Sequence, residues 1–101
     1  IKSCNQGYWR ADLERVNGFD ERFVGWGPED KELAARLDHA GVECLYLKHG
    51  AVAYHLWHPT RSPGAANPND RWLQETLATR ATRCELGLDS HRVPASADRA
   101  A

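Results

Sequence analysis

The chain has 101 residues, 42% of them hydrophobic and 27% charged, with a formal net charge of −1. This is one small domain or a piece of a larger one, with apolar side chains enough for one modest core. The near-neutral balance supplies no basic field to recruit nucleic acid or an anionic membrane surface, and no apolar run approaches the roughly 20 residues of a membrane span.

Three cysteines, Cys4, Cys44 and Cys84, are odd in number, widely spaced and without a Cys-x-x-Cys pair. They argue against a disulfide framework or a cysteine zinc site and fit a reducing compartment, so a cytoplasmic location is expected. Four tryptophans and five histidines accompany no methionine. So many large flat side chains in a small domain suit a compact core, a sugar-binding face, or both.

In chain order, residues 1–9 read as an extended segment broken by Asn5-Gln6-Gly7, a turn or bulge whose amides could also meet a ligand. Residues 10–16 carry helix formers, with Leu13 and Val16 three apart, and Asn17-Gly18 ends that helix. Phe19 to Phe23 is a loop pinned by two aromatics. The main helix is expected from about residue 28 to 40, closed by Gly41, with Leu33, Ala34, Leu37 and Ala40 as its apolar stripe. Lys31, Glu32, Arg36 and Asp38 read as its solvated face, and Glu32–Arg36 as a weak i,i+4 ion pair. His39 reads as a surface or capping residue. Residues 42–48 and 51–55 are strand candidates around a His49-Gly50 turn, so a hairpin is expected. Residues 60–70 form a loop rich in proline, glycine, serine and asparagine. Asn69 or Asp70 would cap a last helix striped by Trp72, Leu73, Thr76, Leu77 and Arg80. The tail from residue 91 to 101 has a disordered composition.

The most informative stretch is Gly25-Trp26-Gly27-Pro28-Glu29-Asp30, at the start of the main helix. Pro28 suits the first helical position, and Glu29 and Asp30 sit in the first turn, where the helix dipole favours negative charge. The flanking glycines permit unusual backbone angles and close approach of another molecule. Paired carboxylates can serve as base, acceptor or cation ligand, and an indole is a platform for the apolar face of a sugar ring. The plainer alternative is that the carboxylates only favour the helix start and that Trp26 is core. A second cluster is His55-x-x-His58 at a strand end, followed by Pro59. Imidazole is a common metal ligand, but residues three apart on an extended segment face opposite sides, so one ligand is expected rather than two. No glycine-rich phosphate loop, Gly-x-Ser-x-Gly elbow or Asp-x-Asp is present.

Taken in order, Asn5, Gly18-Phe19-Asp20-Glu21, Gly25-Trp26-Gly27-x-Glu29-Asp30, Arg36-Leu37, Gly41 and His55-x-x-His58-Pro59 form one pattern. Over roughly residues 3–60 it resembles the C-terminal half of a GT-A-fold glycosyltransferase, of the family-2-like or galactosyltransferase C-terminal domain type. The resemblance implies an α/β fold, as an α+β fragment with helices packed on a small mixed sheet or hairpin. It implies an acceptor-side, metal-completing region over 1–60; the loop and C-terminal helix read over 61–90, and the tail beyond, add nothing to the match.

It also implies a metal-dependent, inverting transfer from a nucleotide-sugar donor to a saccharide hydroxyl, in the setting of bacterial polysaccharide biosynthesis. Asp30 would be the base and Glu29 an acceptor-binding partner, with the two roles exchangeable. Trp26, Gly25, Gly27 and Asn5 would line the substrate. His55, or His58 in second place, would complete a Mn²⁺ or Mg²⁺ site. That metal is otherwise held by an Asp-x-Asp in an N-terminal nucleotide-binding half. The match lacks that half, so an excised piece is expected that does not turn over alone and whose exposed strand edges favour self-association. The parent enzyme would be cytoplasmic and able to sit at the inner face of a membrane. From a different class, the same residues fit a non-catalytic carbohydrate-binding or protein-interaction module built on the Trp26 loop. A zinc protein built on His55 and His58 lacks obvious third and fourth ligands.

Overall fold

A computed structural model describes residues 5–47, 49–59 and 67–92. The first four residues, most of the expected 60–70 loop and nearly all of the expected tail lie outside that range. Three helices follow in order: α1 (Arg10–Val16), α2 (Glu29–His39) and α3 (Asp70–Thr79), with a final 3₁₀ turn at Leu88–His91.

Local sequence explains the helix boundaries. α1 begins where Asp12 and Leu13 donate their amides to the Trp9 carbonyl. It ends at Asn17 and Gly18, both left-handed at φ 69° and 67°, a conformation that asparagine and glycine tolerate best. α2 starts one residue later than the proline rule suggests. Pro28 is the cap, its carbonyl accepting from Glu32 N, and Gly41 at φ 84° closes the other end. α3 stops at Thr79 because Arg80 turns left-handed at φ 53°, so Arg80 is not part of the stripe.

The core is small. Val16, Leu33 and Leu37 are buried, with Leu13, Ala40 and Val42 packed against them. Polar groups complete it, and here the solvated-face expectation for α2 is corrected: Glu32 and Arg36 are both fully buried. Arg36 donates from Nε and Nη2 to the two Glu32 oxygens, each at 2.7 Å, and from Nη1 to Val16 O at 2.6 Å. Thr76 Oγ1 of α3 donates to Glu32 Oε2 at 2.8 Å. One ion pair thereby joins all three helices, and every strong donor facing it is matched, the condition under which such a pair survives burial. The i,i+4 spacing was legible, but its burial depends on α1 and α3 closing over it. Leu77, expected in the buried stripe of α3, is instead 46% exposed, and Thr76 beside it is the buried residue.

The expected sheet or hairpin is not there, which corrects the α/β fold class: among the described residues the regular structure is helical, with no strand. The expected His49-Gly50 turn does form, with Gly50 N donating to Leu47 O at 3.1 Å and His49 left-handed at φ 64°. The flanking segments do not pair. Leu45, Tyr46, Val52 and Tyr54 are 70–91% exposed. The reason is physical. β-propensity is a preference for a pleated, half-buried surface, and a lone two-stranded hairpin with neither face covered is marginal in water.

The end of the described chain closes back on α1. Cys84 N donates to Val16 O, Leu88 N to Asn17 O, and the Asn17 carboxamide bridges Cys84 O and Asp89 N at 2.8 Å each. A Cβ on Gly87 would stand 2.0 Å from Asn17 O, so this crossing requires glycine.

Candidate functional site

The loop before α2 and the first turn of α2 carry the candidate site. Trp26 is 65% exposed, which overturns its alternative reading as core. Trp9 and Trp57 are exposed as well, whereas Trp72 is half-buried beneath the guanidinium groups of Arg22 and Arg71, which lie 4.3 and 4.2 Å from its ring centroid. The tryptophans therefore supply surface rather than core. Gly25 is left-handed at φ 73° and exposed. Gly27 is buried for a different reason: a Cβ there would stand 2.6 Å from the Asn69 side-chain amide.

Glu29 and Asp30 open α2 as expected. Glu29 Oε2 is buried and has no hydrogen-bond partner among the described residues, an acceptor turned into the structure beside an exposed indole loop. Asp30 is half-buried, and its Oδ1 accepts from the neighbouring Lys31 amide at 2.8 Å. Tyr8 lies near enough to feel it. The Tyr8 phenol is pushed up from its ordinary value, first by burial and then by the Asp30 carboxylate and Cys44. Its hydroxyl also meets the Gln6 carboxamide oxygen. Asn5 donates from Nδ2 to Ala51 O at 3.3 Å, tying the first described residues to the 51–59 segment. Sequence reasoning had not placed Tyr8 near the carboxylates, since no spacing rule connects residues so far apart.

The histidines differ from expectation in one respect. Opposite faces were expected, yet His55 Nε2 and His58 Nε2 lie 2.9 Å apart, with ring centroids 5.0 Å apart. His58 Nδ1 lies 3.0 Å from Pro59 O, the arrangement in which Nδ1–H donates and Nε2 keeps its lone pair. Two nitrogens so placed fit part of a divalent-metal site. Among the described residues no group of three or more His, Cys, Asp or Glu side chains gathers around them, so further donors have to come from elsewhere. No hydrogen bond among the described residues links the pair to Glu29 or Asp30.

Two asparagines just before α3 hold the tryptophan loop from behind. Asn67 donates from Nδ2 to Trp26 O at 2.7 Å, and Asn69 from Nδ2 to Val24 O at 2.9 Å and Trp26 O at 3.1 Å. Asn69 or Asp70 was expected to cap α3, and the cap position falls to Asn69. It makes no side-chain cap bond, because its carboxamide is engaged with the loop.

An indole presented on a glycine-bracketed loop, with two carboxylates beside it at a helix start, can stack on the apolar face of a ring and accept hydrogen bonds from hydroxyl groups. Residues 1–59 match the family described as the N-terminal domain of galactosyltransferase, and the chain belongs to this glycosyltransferase family. The matched span contains the whole Gly25–Asp30 block and both histidines.

Among curated proteins, the chain is 32% identical over 81 residues to validoxylamine A glucosyltransferase of Streptomyces hygroscopicus subsp. jinggangensis (strain 5008), covering 80% of this chain and 16% of that protein. It is 27% identical over 82 residues to human chondroitin sulfate N-acetylgalactosaminyltransferase 2, covering 79% of this chain and 15% of that protein. The chain therefore spans about a sixth of the length of these relatives. No solved structure matches it.

Proposed function

We propose that this chain is the acceptor-side part of a nucleotide-sugar glycosyltransferase that inverts configuration in a single displacement. Glycosyltransferase relatives support the class. The observation that carries the residue roles is the pairing, at one loop–helix junction, of the exposed Trp26 with the Glu29–Asp30 carboxylates. In this reading the apolar face of the acceptor sugar lies on the Trp26 indole. Glu29, beside it in the first turn of α2, accepts from an acceptor hydroxyl. Asp30 removes the proton of the attacking hydroxyl; the oxygen forms its bond to the anomeric carbon of the donor as the bond to the nucleoside diphosphate breaks. A divalent ion, Mn²⁺ or Mg²⁺, when bound, neutralises charge on the departing diphosphate. His55 and His58 would contribute nitrogen ligands, with the remaining ligands, including a nucleotide-binding Asp-x-Asp, supplied outside this chain.

A test of the metal role uses the chain itself. In a ¹H–¹⁵N NMR titration with Mn²⁺, paramagnetic broadening is expected at residues 54–59 before any other segment, and His55→Ala is expected to abolish it. Uniform broadening, or broadening confined to surface carboxylates, would contradict the assignment of the histidines. A second reading, a non-catalytic carbohydrate-binding module, draws on the exposure of Trp9, Trp26 and Trp57. It predicts sugar binding that is indifferent to both metal and the charge of Asp30.

A further inference from the structure

We propose that Asn69, with Asn67, is a positioning residue for the tryptophan loop, holding Val24–Gly27 in the conformation that presents the Trp26 indole to a sugar. This inference rests on the reading of Trp26 as a sugar platform. It assigns a function to a segment lying outside the 1–59 span that carries the family match.

The argument starts from what the loop lacks. Gly25 is left-handed, Val24 and Trp26 are 80% and 65% exposed, and neither side chain is buried enough to anchor the backbone. A glycine-bracketed loop of this kind has many conformations to lose and little apolar burial to offset the loss. Its restraint comes from the Asn69 carboxamide, on a residue only 6% exposed. Asn69 Nδ2 donates to Val24 O and to Trp26 O, while Oδ1 accepts the Val24 amide at 3.5 Å. One side-chain amide thus meets the backbone of Val24 at both its N–H and its C=O. Asn67 adds the 2.7 Å bond to Trp26 O, so that this carbonyl accepts from two amides, and Asn67 Oδ1 in turn accepts Asn69 N at 2.9 Å.

Gly27 completes the fit, because any Cβ there would overlap the Asn69 side chain. The loop's glycine and the asparagine therefore need each other. The base of the same loop is fixed to α3 independently. Arg22 pairs with Asp20 through Nε and Nη2, donates from Nη1 to Glu75 Oε2 at 3.0 Å and stacks on Trp72. Since Glu29 and Asp30 follow within three residues of Gly27, the clamp also sets how the indole stands relative to the two carboxylates.

The experiment compares the wild-type chain with Asn69→Asp and Asn67→Ala by ¹H–¹⁵N NMR and amide hydrogen exchange, then titrates each with methyl β-D-galactopyranoside while following the Trp26 indole signal. Asn69→Asp keeps the shape but replaces the donors with acceptors facing two carbonyls. The expected result is an exchange rate at Val24, whose amide meets the Asn69 carboxamide, raised by about tenfold, the scale of a lost pair of hydrogen bonds, with the Leu33–Leu37 amides of α2 unchanged. The Trp26 response to the glycoside is expected to weaken about fivefold or more.

Unchanged loop amides in folded Asn69→Asp would overturn the proposal. If Asn69→Asp fails to fold, Asn67→Ala decides. Faster exchange confined to Val24–Gly27 upholds the clamp, and unchanged exchange there overturns it. If wild-type Trp26 ignores the glycoside, the sugar-platform reading fails, whereas the exchange data still report on the clamp.

Discussion

Arg36 is costly to remove from this fold, because it is fully buried and holds a buried carboxylate. Arg36→Ala would leave the Glu32 carboxylate with only the Thr76 hydroxyl and the Val16 carbonyl with only the Cys84 amide. Breaking one side of a buried pair in this way costs about 3–5 kcal/mol. Urea unfolding followed by circular dichroism is expected to show a loss of that size, and a loss under 1 kcal/mol would mean the pair is solvated after all. The cysteines offer a second check. Cys84 is buried and its thiol is pushed up from the ordinary value, by desolvation first and then by Asp20 and Glu32 against the opposing Arg36. Cys44 is exposed. Mass-mapped alkylation at pH 8 is expected to label Cys44 in the native protein and Cys84 only after unfolding. At this scale the sequence was readable for local position: the two carboxylates open α2, as acidic first-turn residues do, whereas the histidine spacing did not foretell that the two rings meet. It was unreadable for groups whose state depends on distant neighbours. The burial of Glu32 and Arg36 requires Thr76 and Val16, and the approach of Tyr8 to Asp30 requires a tertiary fold.

Helices were the legible elements. α1 was expected over the residues it occupies, and α2 to within a residue at each end, because capping and 3.6-residue periodicity are local signals. The strands were not legible correctly, since a β-pattern commits only when a partner edge exists. The latch at the end of the described chain is another element that spacing did not reveal. His91 and Ser90 of the 3₁₀ turn both meet the Glu21 carboxylate, and the His91 hydrogen bond chiefly holds Glu21 below its ordinary value, with Ser90 adding to it. The folded pKa lies below the unfolded one, so the stability contributed by this contact is present above the unfolded glutamate value and is lost as pH falls through the folded one. Thermal unfolding between pH 3 and pH 7 is expected to show a shallower acid slope for Glu21→Gln than for wild type. Identical slopes would show that the latch contributes nothing.

Over the described residues the molecule is a helical clasp around a very small core, with the 43–47 and 51–59 segments left exposed. It covers about a sixth of relatives that are complete glycosyltransferases by name. In the proposed function, the Trp26 indole would be the acceptor platform, Asp30 the base, and His55 and His58 contributors to a metal site. Two carboxylates at the α2 N-terminus, where negative charge is favoured, leave that helix end unsuited to a phosphate. The most direct measurement of this account is the rate of sugar transfer by the full-length enzyme carrying Asp30→Asn, compared with wild type at saturating donor and acceptor. If Asp30 is the base, kcat falls by about 10²–10⁴ while the far-ultraviolet spectrum and acceptor KM change little. A variant that turns over within a factor of three of wild type, with the fold intact, would contradict the assignment of Asp30 and with it the catalytic reading of this junction.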